Sequence, residues 1–382
     1  MKSMKLLSIS LMLISLSLCA CDNYKDPSSV EIELSDVSDN IDIHTEFQNQ
    51  LLNSDDPDQF VAKHNDEISY QSLSAPNKVK VTYSLSSDNG SAPKEVLLRV
   101  SENSDMSNPM DFKGSEIEAE IYNFKIGKTY YYQVVGTYKS AFKSEIKSFT
   151  VSNNTPRNLY VDGVENVRDL GGWSLEGGHV YKQGLIYRTA QFNYAKSGNT
   201  FKSAPTELGL KVLKQDLKIK TDIDLRRTLA FDNNDEVSGI TSSPLGSDVT
   251  YLPLPMKYGG ENIFDVEKNI ENIKSFFEAL SDINNYTISF NCMRGTDRTG
   301  ALAYVLGAIL GMSEEDLNMD YLFSNFARLG GVVRLNGISS KFVAGIKNSE
   351  GDTYSMKATN YLISTCGVSL ETINQIKNIL ID

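Results

Sequence analysis

The segment 286–310 constrains this chain more than any other. Tyr286 to Phe290 reads as a short strand, and Ala301 to Leu310 is an almost wholly apolar run that marks a buried helix. Between them lie Asn291-Cys292-Met293-Arg294-Gly295-Thr296-Asp297-Arg298-Thr299-Gly300, so the order is strand, loop, helix. Backbone N–H groups left unpaired at a helix start, together with the positive end of its dipole, favour a bound anion. The amides of Met293, Arg294, Gly295 and Thr296 supply such a cradle. Cys292 stands at its entry and Arg298 six positions later, so thiol and guanidinium can face one oxyanion. Thiols at helix starts beside cations ionise readily. A thiolate is a capable nucleophile for phosphorus, and a guanidinium matches two phosphate oxygens. Gly295 permits a tight curl with positive φ, and the Thr299 hydroxyl can donate to the Cys292 sulfur as it becomes a leaving group.

The surrounding residues extend this mixed α/β pattern. A helix is expected from Pro205 to Gln215, a strand from Ile219 to Leu225, and a helix from Val266 to Leu280, where apolar residues recur at three- and four-residue steps. The net charge of −12 argues against a phosphate-backbone binder, so no nucleic-acid partner is expected. Four cysteines and three histidines are too few for a disulfide scaffold, a four-thiolate zinc site or a multi-histidine centre. No metal or cofactor is called for, because Arg298 and the loop dipoles supply the positive charge.

C-x5-R alone is a weak signal. Here Cys292, Gly295, Asp297, Arg298, Thr299 and Gly300 match together, and the loop resembles the cysteine-based protein tyrosine phosphatases, whose signature is H-C-x-x-G-x-x-R-[ST]. The closest resemblance is to the bacterial tyrosine/serine branch reading H-C-x-A-G-K-D-R-T-G. Asn166-Val167-Arg168-Asp169-Leu170-Gly171-Gly172, Gly184 to Thr189, Asp224-Leu225-Arg226 and Asp320 to Asn325 resemble further blocks of that branch, in order. The resemblance implies a tyrosine-phosphatase-like domain over 157–382, a central sheet flanked by helices. Its substrates would be phosphotyrosine, phosphoserine or phosphothreonine in proteins, or phosphoinositides. It also implies that Asp297, inside the loop, protonates the leaving group. Asp224, at a strand end, is a second candidate, though it can equally cap or pair with Arg226; Asp265 is a third, in the 253–265 loop. Arg168 and Asp169 either shape the phosphate site or form a local ion pair at the Gly171-Gly172 turn. Arg188 lines the pocket or is a surface charge, and the Asp320–Asn325 block serves helix packing. Asn291 stands where the branch has His, and Thr296 where it has Lys, so two sources of positive charge beside the anion are missing. Two rivals remain: a phosphate-binding module without turnover, and a rhodanese-like sulfur transferase, to which the Asp297–Gly300 ending is less suited. Cys366 reads as an inert buried thiol, with a protective disulfide to Cys292 as the alternative. His179 reads as a turn residue.

The preceding region is strand-rich. Lys78 to Tyr83 alternates polar and apolar residues, and Glu95–Val100, Ile117–Tyr122, Thr129–Val135 and Ile146–Val151 are further strand candidates separated by turn-rich pieces. This suggests an antiparallel, all-β immunoglobulin/fibronectin III-like sandwich over 66–152, a spacer or a docking unit for an unknown partner. The stretch from Phe124 to Val134 resembles the fibronectin type III motif, which implies that Tyr130 is a corner tyrosine. Asn153 to Pro156 reads as the linker to the last domain.

The first twenty residues read as an export signal. Lys2 and Lys5 precede the apolar run Leu6–Leu18, and about 20 Å of helix falls short of a hydrocarbon core of about 30 Å. Leu18-Cys19-Ala20-Cys21 resembles the lipobox of bacterial lipoproteins, which implies acylation of Cys21 and a membrane-anchored position in the cell envelope, on its periplasmic or surface side. Residues 21–65, acidic and poor in apolar residues, are expected to be a flexible tether, with His44 and His64 solvated.

Overall fold

The computed structural model describes residues 25–382 apart from 69, 116, 194–201, 233–235, 238, 258–261, 328–332 and 335–339. The expected signal segment, Cys19 and Cys21 lie outside the described residues. Eight strands build the first unit: β1 (Val30–Leu34), β2 (Val79–Ser87), β3 (Glu95–Ser101), β4 (Met110–Lys113), β5 (Glu118–Ile121), β6 (Thr129–Thr137), β7 (Ala141–Lys143) and β8 (Lys147–Thr150). One antiparallel sheet has the order β1-β2-β5; the other runs β4-β3-β6-β7, with β8 also on β6. Alternation explains the layering. Val79, Val81 and Tyr83 are buried while Lys80 is exposed, and Val96, Leu98 and Val100 meet Tyr130, Tyr132 and Val134 in one core. The Tyr130 hydroxyl accepts from the Lys125 N–H at 2.8 Å.

The expected tether is corrected by this structure. Strand β1 pairs with β2 over its whole length. Three helices follow it: α1 (Glu46–Leu52), α2 (Pro57–Lys63) and α3 (Asn65–Ile68). The acidic run at 55–58 is a helix start rather than a solvated spacer: Asp56 caps Gln59 N–H, and Pro57 occupies the first turn. The scattered apolar residues Leu51, Val61 and Ile68 share a cluster with Phe323 and Phe326 of the last domain, so they are buried by a partner distant in sequence. His44 is likewise not solvated. It is 1% exposed, with Nδ1 on Asp42 Oδ1 at 3.0 Å and Nε2 on the Pro156 carbonyl at 2.8 Å. His64 is partly covered by Phe47 and Phe60.

The second unit has strands β9 (Arg157–Asn158), β10 (Arg168–Asp169), β11 (Ile186–Thr189), β12 (Thr221–Asp224), β13 (Thr250–Pro253) and β14 (Ile288–Asn291). Their order is β13-β12-β14-β11-β10-β9. The first four are parallel, and β10 and β9 continue antiparallel. Around them lie α4 (Glu207–Lys211), α5 (Leu229–Asp232), α6 (Ile270–Ser281), α7 (Asp297–Leu310), α8 (Glu314–Phe323), α9 (Ser340–Lys347), α10 (Tyr354–Cys366) and α11 (Leu370–Leu380). The helix expected from 205 is shorter, capped by Thr206 and passing into a wider turn at Val212–Asp216. Helix α7 is apolar all round and buried from Arg298 to Leu310, as a central helix must be. Each fully buried Leu or Ile there contributes about 1.5–3 kcal/mol. In register, Asn291 lies opposite Thr189 on one side and Asp224 on the other. The carboxyl ends of three parallel strands therefore converge on one point, where open α/β sheets bind ligands.

Beside the apolar cluster that Leu51, Val61 and Ile68 share with Phe323 and Phe326, the two units meet through polar contacts. Gln183 bonds both the N–H and the carbonyl of Ile126, at 3.0 and 2.9 Å. Arg157 donates to the carbonyls of Phe124 and Asn123 and pairs with Asp169.

Candidate active site

The loop 292–296 links the end of β14 to the start of α7, and its shape follows from what grips it from behind. Gly295 has φ +68, and a Cβ there would lie 2.4 Å from the Thr189 carbonyl oxygen, so only glycine fits. Three successive carbonyls are held on that side. Met293 O accepts from Gln191 N–H at 3.2 Å, Arg294 O from Asn166 Nδ2 at 3.0 Å, and Gly295 O from Arg188 Nη2 at 2.7 Å. A planar trans peptide sets each N–H opposite the preceding carbonyl. The N–H groups of Arg294, Gly295 and Thr296 therefore point away from those carbonyls, which is the arrangement an anion nest requires.

Cys292 lies at the end of β14 and is 3% exposed. The Arg298 guanidinium, 6% exposed, is fixed by four bonds. Nη1 donates to Glu236 Oε2 at 2.7 Å and to the carbonyls of Leu225 and Met256, and Nη2 donates to Glu236 Oε1 at 3.2 Å. Burial alone would lower the guanidinium's pKa; Cys292 and Glu236 beside it more than restore it. Burial pushes the Glu236 carboxyl up, but Arg298 and Arg227 hold it at about 2. Thr299 is fully buried on the first turn of α7, and its hydroxyl has no hydrogen-bond partner among the described residues. The donation to Cys292 expected of it is thus not formed in this state.

A model of the tyrosine phosphatase family matches residues 159–382. The chain belongs to the tyrosine phosphatase family. One curated relative, named "Putative tyrosine-protein phosphatase H16_A0669" from Cupriavidus necator, is 26% identical over 183 residues, which span 44% of this chain and 63% of that protein. The chain thus matches somewhat less than two thirds of that relative's length. Solved structures with some likeness include the core catalytic domain of the PP-IP phosphatase SIW14 from S. cerevisiae, at 16% identity and TM-score 0.26, covering 39% of this chain and 77% of that one. Another is P. aeruginosa TpbA, at 14% identity and TM-score 0.26, covering 54% and 95%. TM-scores this low lend no weight to either substrate.

Within this phosphatase domain the candidate residues fall into separate places. Asp297 and Arg294 are partly exposed at the loop's mouth, as is Met293. Asp297 is gripped by Arg334, with Nε to Oδ1 at 2.7 Å and Nη2 to Oδ2 at 2.8 Å, and Tyr321 OH donates to Oδ1 at 3.3 Å. Asp224 is buried and taken up by Arg226, which donates through its backbone N–H, Nε and Nη2, and by the Tyr251 hydroxyl at 2.9 Å. The pairing reading of Asp224 is therefore the observed one. Asp265 is exposed in a short turn. Asp169 accepts from the Gly171 and Gly184 N–H groups and from Arg157, and so braces the Gly-Gly turn and the junction with the sandwich rather than the loop. Arg188 is no surface charge: it is fully buried and shares Asp320 with Arg168. Cys366 is free and buried in the α10 core contacts, and burial pushes its thiol up to about 12, a poor partner for thiolate exchange. His179 is exposed at a turn and bonds Asp382 O.

Sequence reasoning undervalued the 320–325 block. Its residues do not only pack: Asp320 and Ser324 hold Arg168 and Arg188, Tyr321 reaches Asp297, and Asn325 bonds both the N–H and the carbonyl of Arg334. Asn166 was visible within its block, but its grip on the loop was not. Glu236 carried no signal, standing in a polar stretch outside every matched block. Arg334, which grips Asp297, was missed as well, and so was Asp222. Its Oδ1 accepts from Asn291 Nδ2 at 3.1 Å and its Oδ2 from Ser243. Burial, then the neighbouring Asp224, push its carboxyl up to about 7.

Proposed function

We propose that the chain hydrolyses phosphoric monoesters, phosphotyrosine in proteins first among them, through a phosphocysteine intermediate. One observation carries this: an anion nest whose carbonyls are all turned away, with Cys292 at its entry and Arg298 locked in place by Glu236. In the first step the Cys292 thiolate attacks phosphorus, the S–P bond forms and the P–O bond to the alcohol breaks. Arg298 and the loop N–H groups stabilise the equatorial oxygens, and Asp297 gives its proton to the departing alkoxide. In the second step water attacks phosphorus, its proton passes to the Asp297 carboxylate, and the S–P bond breaks to return the thiolate. Asp297 must leave Arg334 to carry a proton, so Arg334 moves with the cycle.

The test is phosphate release from a phosphotyrosine peptide, a phosphoserine peptide and a phosphoinositide, with wild type beside Cys292→Ser. Turnover that survives Cys292→Ser, or that a chelator abolishes, would overturn the cysteine mechanism. A phosphoinositide preference would keep the chemistry and move the substrate. Asp297→Asn should slow phosphotyrosine cleavage by about 10²-fold, and p-nitrophenyl phosphate by much less, because a good leaving group needs no acid.

The same proposal places the protein in the cell envelope on an acylated Cys21, with the sandwich as a fibronectin type III-like spacer. Two antiparallel sheets, of three and five strands, around one core and the Tyr130–Lys125 bond support the sandwich reading. Asp26 already bonds Lys139 and Ser140, so the folded sandwich begins only a few residues after Cys21. Labelled fatty acid incorporated into wild type but not into Cys21→Ser would support the anchor; equal labelling would sink it.

A further inference from the structure

Behind the phosphate loop lies a group of charges that the chemistry above does not use. Arg168 and Arg188 are each fully buried, and Asp320 is 6% exposed. Asp320 pairs with both guanidiniums, Ser324 Oγ accepts from both, and Asn166 Oδ1 accepts from Arg168. Two guanidiniums against one carboxylate leave one unit of positive charge in the interior. Burying it is costly, and such groups persist when paired and hydrogen-bonded; here both guanidiniums are held through their terminal nitrogens, while Arg188 Nε has no partner among the described residues. This geometry ends on the loop: Arg188 Nη2 donates to Gly295 O, and Asn166 Nδ2 to Arg294 O. Gly300 lets Arg188 approach, since a Cβ there would lie 3.2 Å from Nη2.

We propose that Asn166 and Arg188 are positioning residues for anion binding. They rotate the Arg294–Gly295 and Gly295–Thr296 peptides so that their N–H groups face the phosphate, and the Arg188–Asp320–Arg168 frame adds one positive charge from behind. Low effective dielectric in the interior lets that charge act across the peptide planes. It stands in for the cations absent at Asn291 and Thr296, whose side chains are uncharged. The inference rests on the phosphatase reading of the loop and assigns its anion affinity to residues that touch no substrate.

The experiment is vanadate binding by calorimetry to the full chain, with near-ultraviolet circular dichroism and thermal melting as folding controls. Wild type is compared with Asn166→Ala, Arg188→Gln and Arg188→Lys. Arg188→Gln should weaken vanadate roughly tenfold or more, since hydrogen bonds to charged groups are worth that much or more. Asn166→Ala should weaken it by about fivefold. Arg188→Lys, keeping charge and one donor, should recover most of the anion affinity even where its melting temperature stays low, which a merely structural role would not do. Folded Arg188→Gln and Asn166→Ala that both bind vanadate as wild type does would overturn the inference. If Arg188→Gln does not fold, Asn166→Ala decides alone: weakened binding supports the inference, and unchanged binding overturns it. Wild type that binds no vanadate would instead remove the phosphatase reading on which this rests.

Discussion

The sandwich and the phosphatase domain handle charge in opposite ways. In the sandwich, ion pairs such as Lys78–Glu120, Lys80–Glu118 and Arg99–Asp111 sit on the outer faces, with side chains from 27% to 50% exposed, over a core of Val, Leu, Ile, Tyr and Phe. In the phosphatase domain, Arg157–Asp169, Arg168–Asp320–Arg188, Arg226–Asp224 and Arg298–Glu236 are all buried, none more than 8% exposed. Exposed pairs contribute about 0–1 kcal/mol, whereas breaking a buried pair costs about 3–5 kcal/mol. The sandwich therefore draws its stability from apolar area. The phosphatase domain buries its charge around the loop and at the junction with the sandwich, and the anion site proposed above would need such fixed donors more than apolar area.

The contrast can be broken at its strongest point first. Cys292→Ser should lower phosphate release on the order of 10⁴-fold or more, while circular dichroism and vanadate binding remain; residual turnover near wild type would remove the loop from the chemistry. Glu236→Gln comes next. It leaves the Arg298 guanidinium short of its charged partner, so kcat should fall by about 10²-fold through misplacement, and unfolding free energy should fall by about 3–5 kcal/mol. An unchanged kcat would show that Arg298 is positioned without Glu236. In the sandwich, Leu98→Ala should cost about 2–5 kcal/mol of stability with kcat per folded molecule intact; a matching fall in kcat would mean that the two units act as one.

A smaller effect concerns Asp222 and its dependence on pH. Its folded-state carboxyl stands near 7, above the ordinary value of 3.8. The folded protein thus holds this proton more tightly than the unfolded chain does. Its contribution is fully present below about pH 4 and is lost as pH rises through about 7. Asp222→Asn keeps an acceptor for Asn291 and removes the titration. Its melting temperature should therefore gain on wild type between pH 5 and pH 8, and a constant gap would show that Asp222 does not titrate there. The least effect is expected from Lys80→Ala, at most about 1 kcal/mol by denaturant melting; a loss of several kcal/mol would end the contrast between the two regions.

The loop and its flanking strand and helix were legible because their signal is local: six matching residues within nine, an apolar strand before and an apolar helix after. The sandwich strands were legible for the same reason, through alternation over a few residues. What could not be read was pairing over long sequence distances. Arg188 reaches Asp320 across 132 residues and Arg298 reaches Glu236 across 62, and neither separation leaves a mark in composition or periodicity. The expected tether 21–65 was misread over its described part because its apolar residues are sparse; their burial is provided by Phe323 and Phe326 and by the edge of β2, none of them adjacent in the chain.

Residue types and spacing by themselves determined that a thiol and a guanidinium would flank a tight glycine turn at a helix start, since those constraints act within ten residues. Only the tertiary structure decided which carboxylate locks Arg298, which side of the loop holds its carbonyls, and that Arg188 lies on that side. Those choices depend on strands from four parts of the chain ending side by side, and free energies of burial and charge pairing are settled by neighbours in space rather than in sequence.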